Sequence, residues 1–180
     1  PGEEINCFVD TLKPKQHFYY IGTAMAALAD TYMAKGQSRH LEAALALAEL
    51  EARLNPTGLF WPSYCKVGWG AAQLYAITAD PAHRRMAANV SEITFMGAQT
   101  SAGGWNDMAY PLRDHGAWES VAYDGAARGR ARELASDGSY AVLSGHEVTG
   151  EFLGEMGRTL AVFRALLGQV DARIMALEAK

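Results

Sequence analysis

The chain has 180 residues, of which 49% are hydrophobic and 20% charged, a composition typical of one soluble domain. Its net charge of −4 and its lack of Lys/Arg clusters argue against nucleic-acid binding, and charged residues interrupt every apolar run, so no membrane partner is expected. The two cysteines form no CxxC pair and indicate neither a disulfide framework nor a zinc site. Because no signal-peptide pattern is present, the default expectation is a cytoplasmic protein.

After an entering arm (residues 1–13), the chain divides into a hairpin at 14–60 and a second at 61–105. The first hairpin is predicted to have one helix from about His17 to Lys35 and another from about Arg39 to Leu54, capped by Ser38. The second hairpin has a small-residue helix at 66–78 and a helix at about 82–98. Asp80-Pro81 begins the latter, since Asp caps free N–H groups and Pro suits the first turn.

Residues 106–140 are rich in aromatic residues, Gly and Asp, and are predicted to form a long ordered loop. The final helices are assigned to 141–180. Ser144 and Glu147 have the spacing of a capping box, which predicts a helix from Glu147 to Leu167. Gly168 is expected to break it before an amphipathic tail at 170–177. No strand alternation of useful length is found, and the predicted fold class is all-α.

The two hairpins share a repeat. Tyr32 and Tyr75, His40 and His83, and Ala44 and Ala87 are each 43 positions apart. Each copy ends in a glycine-containing loop that carries a tryptophan, Trp61 in the first copy and Trp105 in the second. A fixed period in two-helix units is typical of a helical array in which neighbours bury each other's apolar faces.

The stretch Gln99-Thr-Ser-Ala-Gly-Gly-Trp105 resembles the Gln-to-Trp motif of squalene-type cyclases. Together with the hairpins, it makes residues 17–105, and more weakly 144–167, similar to the α/α-toroid superfamily. That superfamily includes terpenoid cyclases, protein prenyltransferases and six-hairpin glycosidases. The resemblance implies an α/α-toroid of hairpins of about 43 residues, here a partial one, since 180 residues are too few for six hairpins. Either a homo-oligomer or a missing N-terminal half would complete it.

Two signature motifs of these families are absent, the Asp-x-Asp-Asp of squalene-type cyclases and the Asp-Asp-x-x-Asp metal motif of terpene synthases. No zinc-binding trio can be assigned. Neither a metal nor a cofactor is therefore expected.

In toroids of this kind, the inner helices point their N-terminal ends toward a central cavity. The resemblance therefore places the site at the beginnings of three helices and in the long loop, where side chains could act as acids, bases and an aromatic lining. The candidate catalytic residues are His17, Tyr20, Tyr64, Lys66, His146 and Glu147. The candidate substrate contacts are Trp61, Trp69, Trp105, Asp107, Tyr110, His115, Trp118 and Glu151.

Several of these residues also have a purely structural interpretation. Glu147 could be only the reciprocal partner of Ser144 in the helix cap. Trp105 could fill the gap between neighbouring hairpins. His40 and His83 repeat at the beginnings of outer helices and are interpreted as structural.

Three functions remain open from the sequence. The first is a metal-independent enzyme that cyclises, isomerises or eliminates on a small, largely apolar terpenoid or polyketide-like substrate, with His146 or Glu147 as general acid/base and Tyr20, Tyr64 and Lys66 polarising a carbonyl. The second is a carbohydrate lyase or hydrolase of the six-hairpin type, for which Glu147 and Asp107 are the plausible carboxylate pair. The third is a non-enzymatic helical-repeat binding module.

Overall fold

The computed structural model describes residues 19–54, 65–96, 99–105, 108–111 and 140–178, with the backbone alone at 19, 20, 54, 93–95, 108–111, 140–143 and 178. The helices are α1 (Tyr19–Lys35), α2 (Ser38–Leu54), α3 (Cys65–Thr78), α4 (Pro81–Val90) and α5 (Gly145–Glu178). The helical class predicted from the sequence is confirmed. None of the described helices is long and apolar enough to cross a membrane.

The 43-residue repeat corresponds to two helical hairpins with the same turn. In α1–α2 the Gly36 amide donates to the Tyr32 carbonyl (2.7 Å), and in α3–α4 the Ala79 amide donates to the Tyr75 carbonyl (2.8 Å). Gly36 and Ala79 both have a positive φ, of 68° and 57°. This left-handed residue ends the first helix of each pair and lets the chain reverse.

The two hairpins stack through their first helices. The backbone of α1 approaches that of α3 so closely that a Cβ on Gly22 would lie 2.4 Å from the Val67 nitrogen. Further along, Gln73 Nε2 donates to Asp30 Oδ1 (2.6 Å), so contacts advance in the same direction on both helices and α1 and α3 are parallel. Small residues permit this approach, and the buried core between the helices is built from Ile21, Met25, Ala29, Ala44, Ala48, Val67, Ala71, Ala72, Leu74, Ala87 and Val90.

The first half of α5 packs beside α3 as a third parallel helix. Lys66 at the beginning of α3 contacts Glu151, and Tyr75 near its end lies 6.1 Å from Phe163, ring centre to ring centre. The N-terminal ends of α1, α3 and α5 are therefore at the same end of the bundle, with α2 and α4 as the second helices of their hairpins.

Two predicted helix boundaries are refined. The helix predicted at about 82–98 is α-helical to Val90 and continues as a π-helical turn, Ser91–Met96, and its predicted end at 98 lies outside the described residues. The Ser91 hydroxyl donates to the Ala87 carbonyl (3.0 Å), which also accepts from the Ser91 backbone amide. The hydroxyl therefore competes with a backbone hydrogen bond at the point where the helix changes from α to π. Ser38 is the first residue of α2 rather than its cap. The carbonyl of Gln37 accepts from the His40 amide (3.1 Å).

The predicted break at Gly168 is wrong, since α5 is one helix of 34 residues. A single glycine inside a helix costs only about 1 kcal/mol, and the neighbouring Leu, Gln and Ala residues favour the helix.

Two four-residue strands, β1 (Met108–Pro111) and β2 (Tyr140–Leu143), pair antiparallel, with Met108 opposite Leu143 and Pro111 opposite Tyr140. The sequence predicts a loop at β1, because four residues are too few for an alternating pattern to be recognised.

Candidate functional site

The shared end of α3 and α5 carries an ion pair between helices. The Lys66 ammonium donates to Glu151 Oε1, joining the first turn of α3 to the second turn of α5. Their side chains are 21% and 30% exposed, so the pair is within reach of a ligand. Both residues are site candidates from the sequence, on separate helices, and the structure brings them into contact.

A second charged contact lies further along the same two helices. Arg158 Nη1 donates to Glu155 Oε1 (2.8 Å), and the guanidinium carbon of Arg158 lies 4.8 Å from the centre of the Trp69 ring. Arg158 is largely exposed and Glu155 is buried. A guanidinium over an indole ring forms a cation–π interaction, so Trp69 is held by a cation as well as by its helix.

Two polar atoms on the same face of α5 have no hydrogen-bond partner among the described residues. Glu155 Oε2 and Thr159 Oγ1 are buried, and neither forms a hydrogen bond with a residue in the described part of the chain. Buried polar groups are nearly always hydrogen-bonded, because an unpaired one retains its desolvation cost. These atoms therefore mark a position where a water molecule or a polar ligand group would be stabilising.

Glu155 and Arg158 were missed by the sequence analysis, although the sequence contained a signal for them. Val148, Phe152, Glu155 and Thr159 recur at intervals of three and four residues and form the buried stripe of α5. A glutamate at a core position needs a partner, and Arg158 is one turn away.

Cys65 adds a buried thiol beneath the ion pair. The pKa of this thiol is raised to about 12, mainly because the thiol is buried; Lys66 lowers the pKa, and the Glu151 and Glu155 carboxylates raise it. The thiol is therefore protonated at neutral pH, and since the thiolate is the reactive form, Cys65 is unsuited to nucleophilic chemistry.

Glu147 is bound in the helix cap. Its Oε2 accepts from the Ser144 amide (2.8 Å) and hydroxyl (2.9 Å), while the Glu147 amide donates to Ser144 Oγ (3.2 Å). These bonds form the capping box expected from the spacing. The bonds from the Ser144 backbone and side chain lower the pKa of the Glu147 carboxyl, which weakens it as a proton acceptor. His146 is exposed in the same turn.

Trp105 is buried against α5. It is 5% exposed, packs edge-to-face on Phe152 with ring centres 5.2 Å apart, and its amide donates to Thr149 Oγ1 (3.2 Å). The motif before it forms a closed turn in which Gln99 Nε2 donates to the Gly103 carbonyl (2.8 Å). The turn fixes where the tryptophan enters the core.

The two repeated histidines have different surroundings. His40 is half-buried and its Nε2 lies 3.2 Å from Gln37 Oε1. His83 is buried, and its Nδ1 lies 3.1 Å from the Thr78 hydroxyl. That hydroxyl donates to the Leu74 carbonyl, so it accepts from His83. Burial lowers the pKa of His83, partly opposed by Asp80, and both histidines have the structural positions expected.

The remaining candidates belong to parts of the chain whose side chains are not described. His17, Trp61, Tyr64, Asp107, His115 and Trp118 lie outside the described residues. For Tyr20 in α1 and Tyr110 in β1, the structure describes the backbone alone. The described site residues are therefore Lys66, Trp69, Trp105, His146, Glu147 and Glu151.

Within the described ranges, no group of three or more His, Cys, Asp or Glu side chains is positioned to hold a metal ion. Comparison with known proteins gives no further assignment: no protein-family model, no curated protein and no solved structure matches this chain.

Proposed function

We propose that this chain is part of an α/α-toroid enzyme that isomerises, cyclises or eliminates on a small, largely apolar carbonyl or carboxylate compound by general acid/base chemistry. In this proposal α1, α3 and α5 form the inner layer of a partial toroid. The observation that carries the proposal is the Lys66–Glu151 pair, which joins the beginnings of two neighbouring inner helices; Trp69 follows one turn later on α3 and Arg158 two turns later on α5.

The proposal transfers the acid/base role from Glu147 to Lys66 and Glu151. Glu147 already accepts two hydrogen bonds from Ser144 and its pKa is lowered, whereas the Lys66–Glu151 pair is partly exposed. In the isomerisation of a β,γ-unsaturated carbonyl compound, the Lys66 ammonium donates a hydrogen bond to the carbonyl and stabilises the dienolate. The Glu151 carboxylate takes the proton from the α-carbon and returns it to the γ-carbon, so the double bond moves to the α,β position.

The side chains around this pair define the substrate class. Arg158 and Lys66 would favour an anionic or carbonyl group, and Trp69 would supply an apolar contact. Glu155 Oε2 and Thr159 Oγ1, which have no hydrogen-bond partner in the described part of the chain, add positions for a hydroxyl group or water.

The first measurement is a thermal-shift panel on the purified chain, with terpenoid and polyketide-like carbonyl compounds in one set and neutral and uronate-containing oligosaccharides in the other. A ligand that binds the native state raises the melting temperature by mass action. Stabilisation by the carbonyl set is expected. Stabilisation by the oligosaccharides alone would instead support the carbohydrate-active alternative.

Proton transfer is then tested with a stabilising carbonyl compound in D2O, by following loss of its α-proton signal by NMR. K66M and E151Q are expected to abolish the exchange. K35M and E49Q make the same changes at exposed positions of α1 and α2 and are the matched controls. Equal exchange in K66M and wild type would refute the assigned roles.

A non-enzymatic binding module is the second candidate. The ion pair between Lys66 and Glu151 favours this candidate, because an ion pair with the purely structural role of joining α3 to α5 would have the same geometry. Ligand stabilisation without any α-proton exchange in the wild-type chain would support this candidate and exclude the proposed reaction for that ligand.

A further inference from the structure

The two halves of α5 have different surroundings. The first half buries Val148, Phe152, Glu155 and Thr159 against the body of the protein. From residue 167 to residue 177, every side chain is exposed. Leu167 is 64% and Leu177 is 71% exposed, which is unfavourable for large apolar side chains in water.

The apolar residues in this region follow a heptad pattern. A surface that we call the α5 seam has its apolar positions at alternating intervals of three and four residues: Leu160, Phe163, Leu167, Val170, Ile174 and Leu177. This spacing places the side chains in one stripe along an α-helix and is the pattern of coiled-coil packing. Phe163, which also contacts Tyr75, is half-buried where the seam meets the body.

We propose that the α5 seam binds the same seam of a second copy of this chain, with the two helices antiparallel. A two-fold axis passes between Leu167 and Val170. It makes the surface self-complementary, because the N-terminal end of each seam then packs on the C-terminal end of the other. Leu160 faces the partner's Leu177, and Phe163 faces the partner's Ile174. The two protein bodies lie at opposite ends of the paired helices.

The charges beside the seam favour a second copy in this orientation. Arg164 and Asp171 are exposed and occupy the same flanking position in successive heptads. In the antiparallel pair, Arg164 lies opposite the partner's Asp171, and the symmetry axis makes the contact twice. In a parallel pair Arg164 would instead lie beside the partner's Thr159, with no ion pair. Flanking charges of this kind determine partner choice and helix orientation in coiled coils.

The seam is tested by the solution mass of the full 180-residue chain, measured by sedimentation equilibrium. Wild type is expected to be a dimer and I174D a monomer. M175D is the matched control, because Met175 is the next residue, is also a large apolar side chain and is even more exposed (68%, against 48% for Ile174), but lies outside the seam. Circular dichroism checks that all three chains are equally helical. A monomeric wild type, or a dimer that persists in I174D, would overturn the proposal.

Charge reversal tests the antiparallel orientation. R164D and D171R are each expected to raise the dimer Kd about tenfold, because each places like charges opposite one another twice. The double variant R164D/D171R restores opposite charges and is expected to recover the wild-type Kd. If R164D leaves the Kd unchanged while I174D abolishes the dimer, the antiparallel arrangement is wrong.

Discussion

The two helical hairpins have the same turn but different environments. Each closes with an amide-to-carbonyl bond from a residue of positive φ, Gly36 in the first hairpin and Ala79 in the second. Among the described elements, the first hairpin packs against the second mainly through α1, whereas α3 of the second packs against both α1 and α5. His83 of the second hairpin is buried, and its counterpart His40 is half-buried.

This difference separates the turn, which the repeated sequence determines, from burial, which depends on the packing of the hairpins. The turn is formed by residues within a few positions of each other, so both copies form it. Burial depends on how many helices pack around a copy, and the repeat pattern alone does not determine that number. The following predictions test the two contributions, beginning with the stacking of the hairpins.

The largest effect is expected from G22A, which disrupts the stacking. The added methyl group would lie 2.4 Å from the Val67 nitrogen, and the backbone of α3 cannot move away without separating the hairpins. We expect a loss of about 3 kcal/mol in the free energy of unfolding, measured by chemical denaturation. G154A is the control, since a Cβ there meets nothing within 4 Å, and it should stabilise α5 by about 0.5–1 kcal/mol. Equal stability of the two variants would show that α1 and α3 are not in close contact.

The turns are tested by exchanging the residues at the left-handed position. G36A places a side chain at a φ of 68° and should lower the free energy of unfolding by about 1 kcal/mol, while A79G removes strain at 57° and should raise it by a similar amount. No atom lies within 4 Å of a Cβ on Gly36, so the cost reflects backbone conformation alone. Changes of the same sign in the two variants would contradict the equivalence of the turns.

The smallest effect is expected in the pH dependence of stability. Burial lowers the pKa of His83 in the folded chain below the ordinary value of 6.5, so the unfolded chain binds this proton more tightly. As the pH falls through 6.5, His83 therefore lowers the free energy of unfolding, until the native pKa has been passed. H83Q should make the melting temperature less sensitive to pH in this range. H40Q is the control, because it removes the equivalent histidine of the first hairpin and shows how the loss of a histidine at this position alters the pH dependence of the melting temperature. If H83Q has the same pH dependence as wild type, His83 does not contribute to it.

Some residues of the candidate site could be predicted from the sequence, but the contacts between them could not. Lys66 and Glu151 were selected separately, as polar residues at the beginnings of two helices. Their contact spans 85 positions and exists only because α3 and α5 are parallel neighbours. Arg158 was not selected, since an exposed arginine in a helix is ordinary until Trp69 is seen beneath its guanidinium.

The sequence by itself determined the features that depend on neighbouring residues. These are the helical class, the repeated turn, the capping box of Ser144 and Glu147, and the beginning of α4 at Asp80-Pro81, where Asp80 Oδ1 accepts from the Ala82 amide (2.8 Å). Only the tertiary structure decided the parallel stacking of α1, α3 and α5, the partners of Lys66 and Arg158, and which apolar residues of α5 stay exposed. Hydrogen bonds within one turn act in any surroundings, whereas burial and ion pairing between helices require distant segments to pack together.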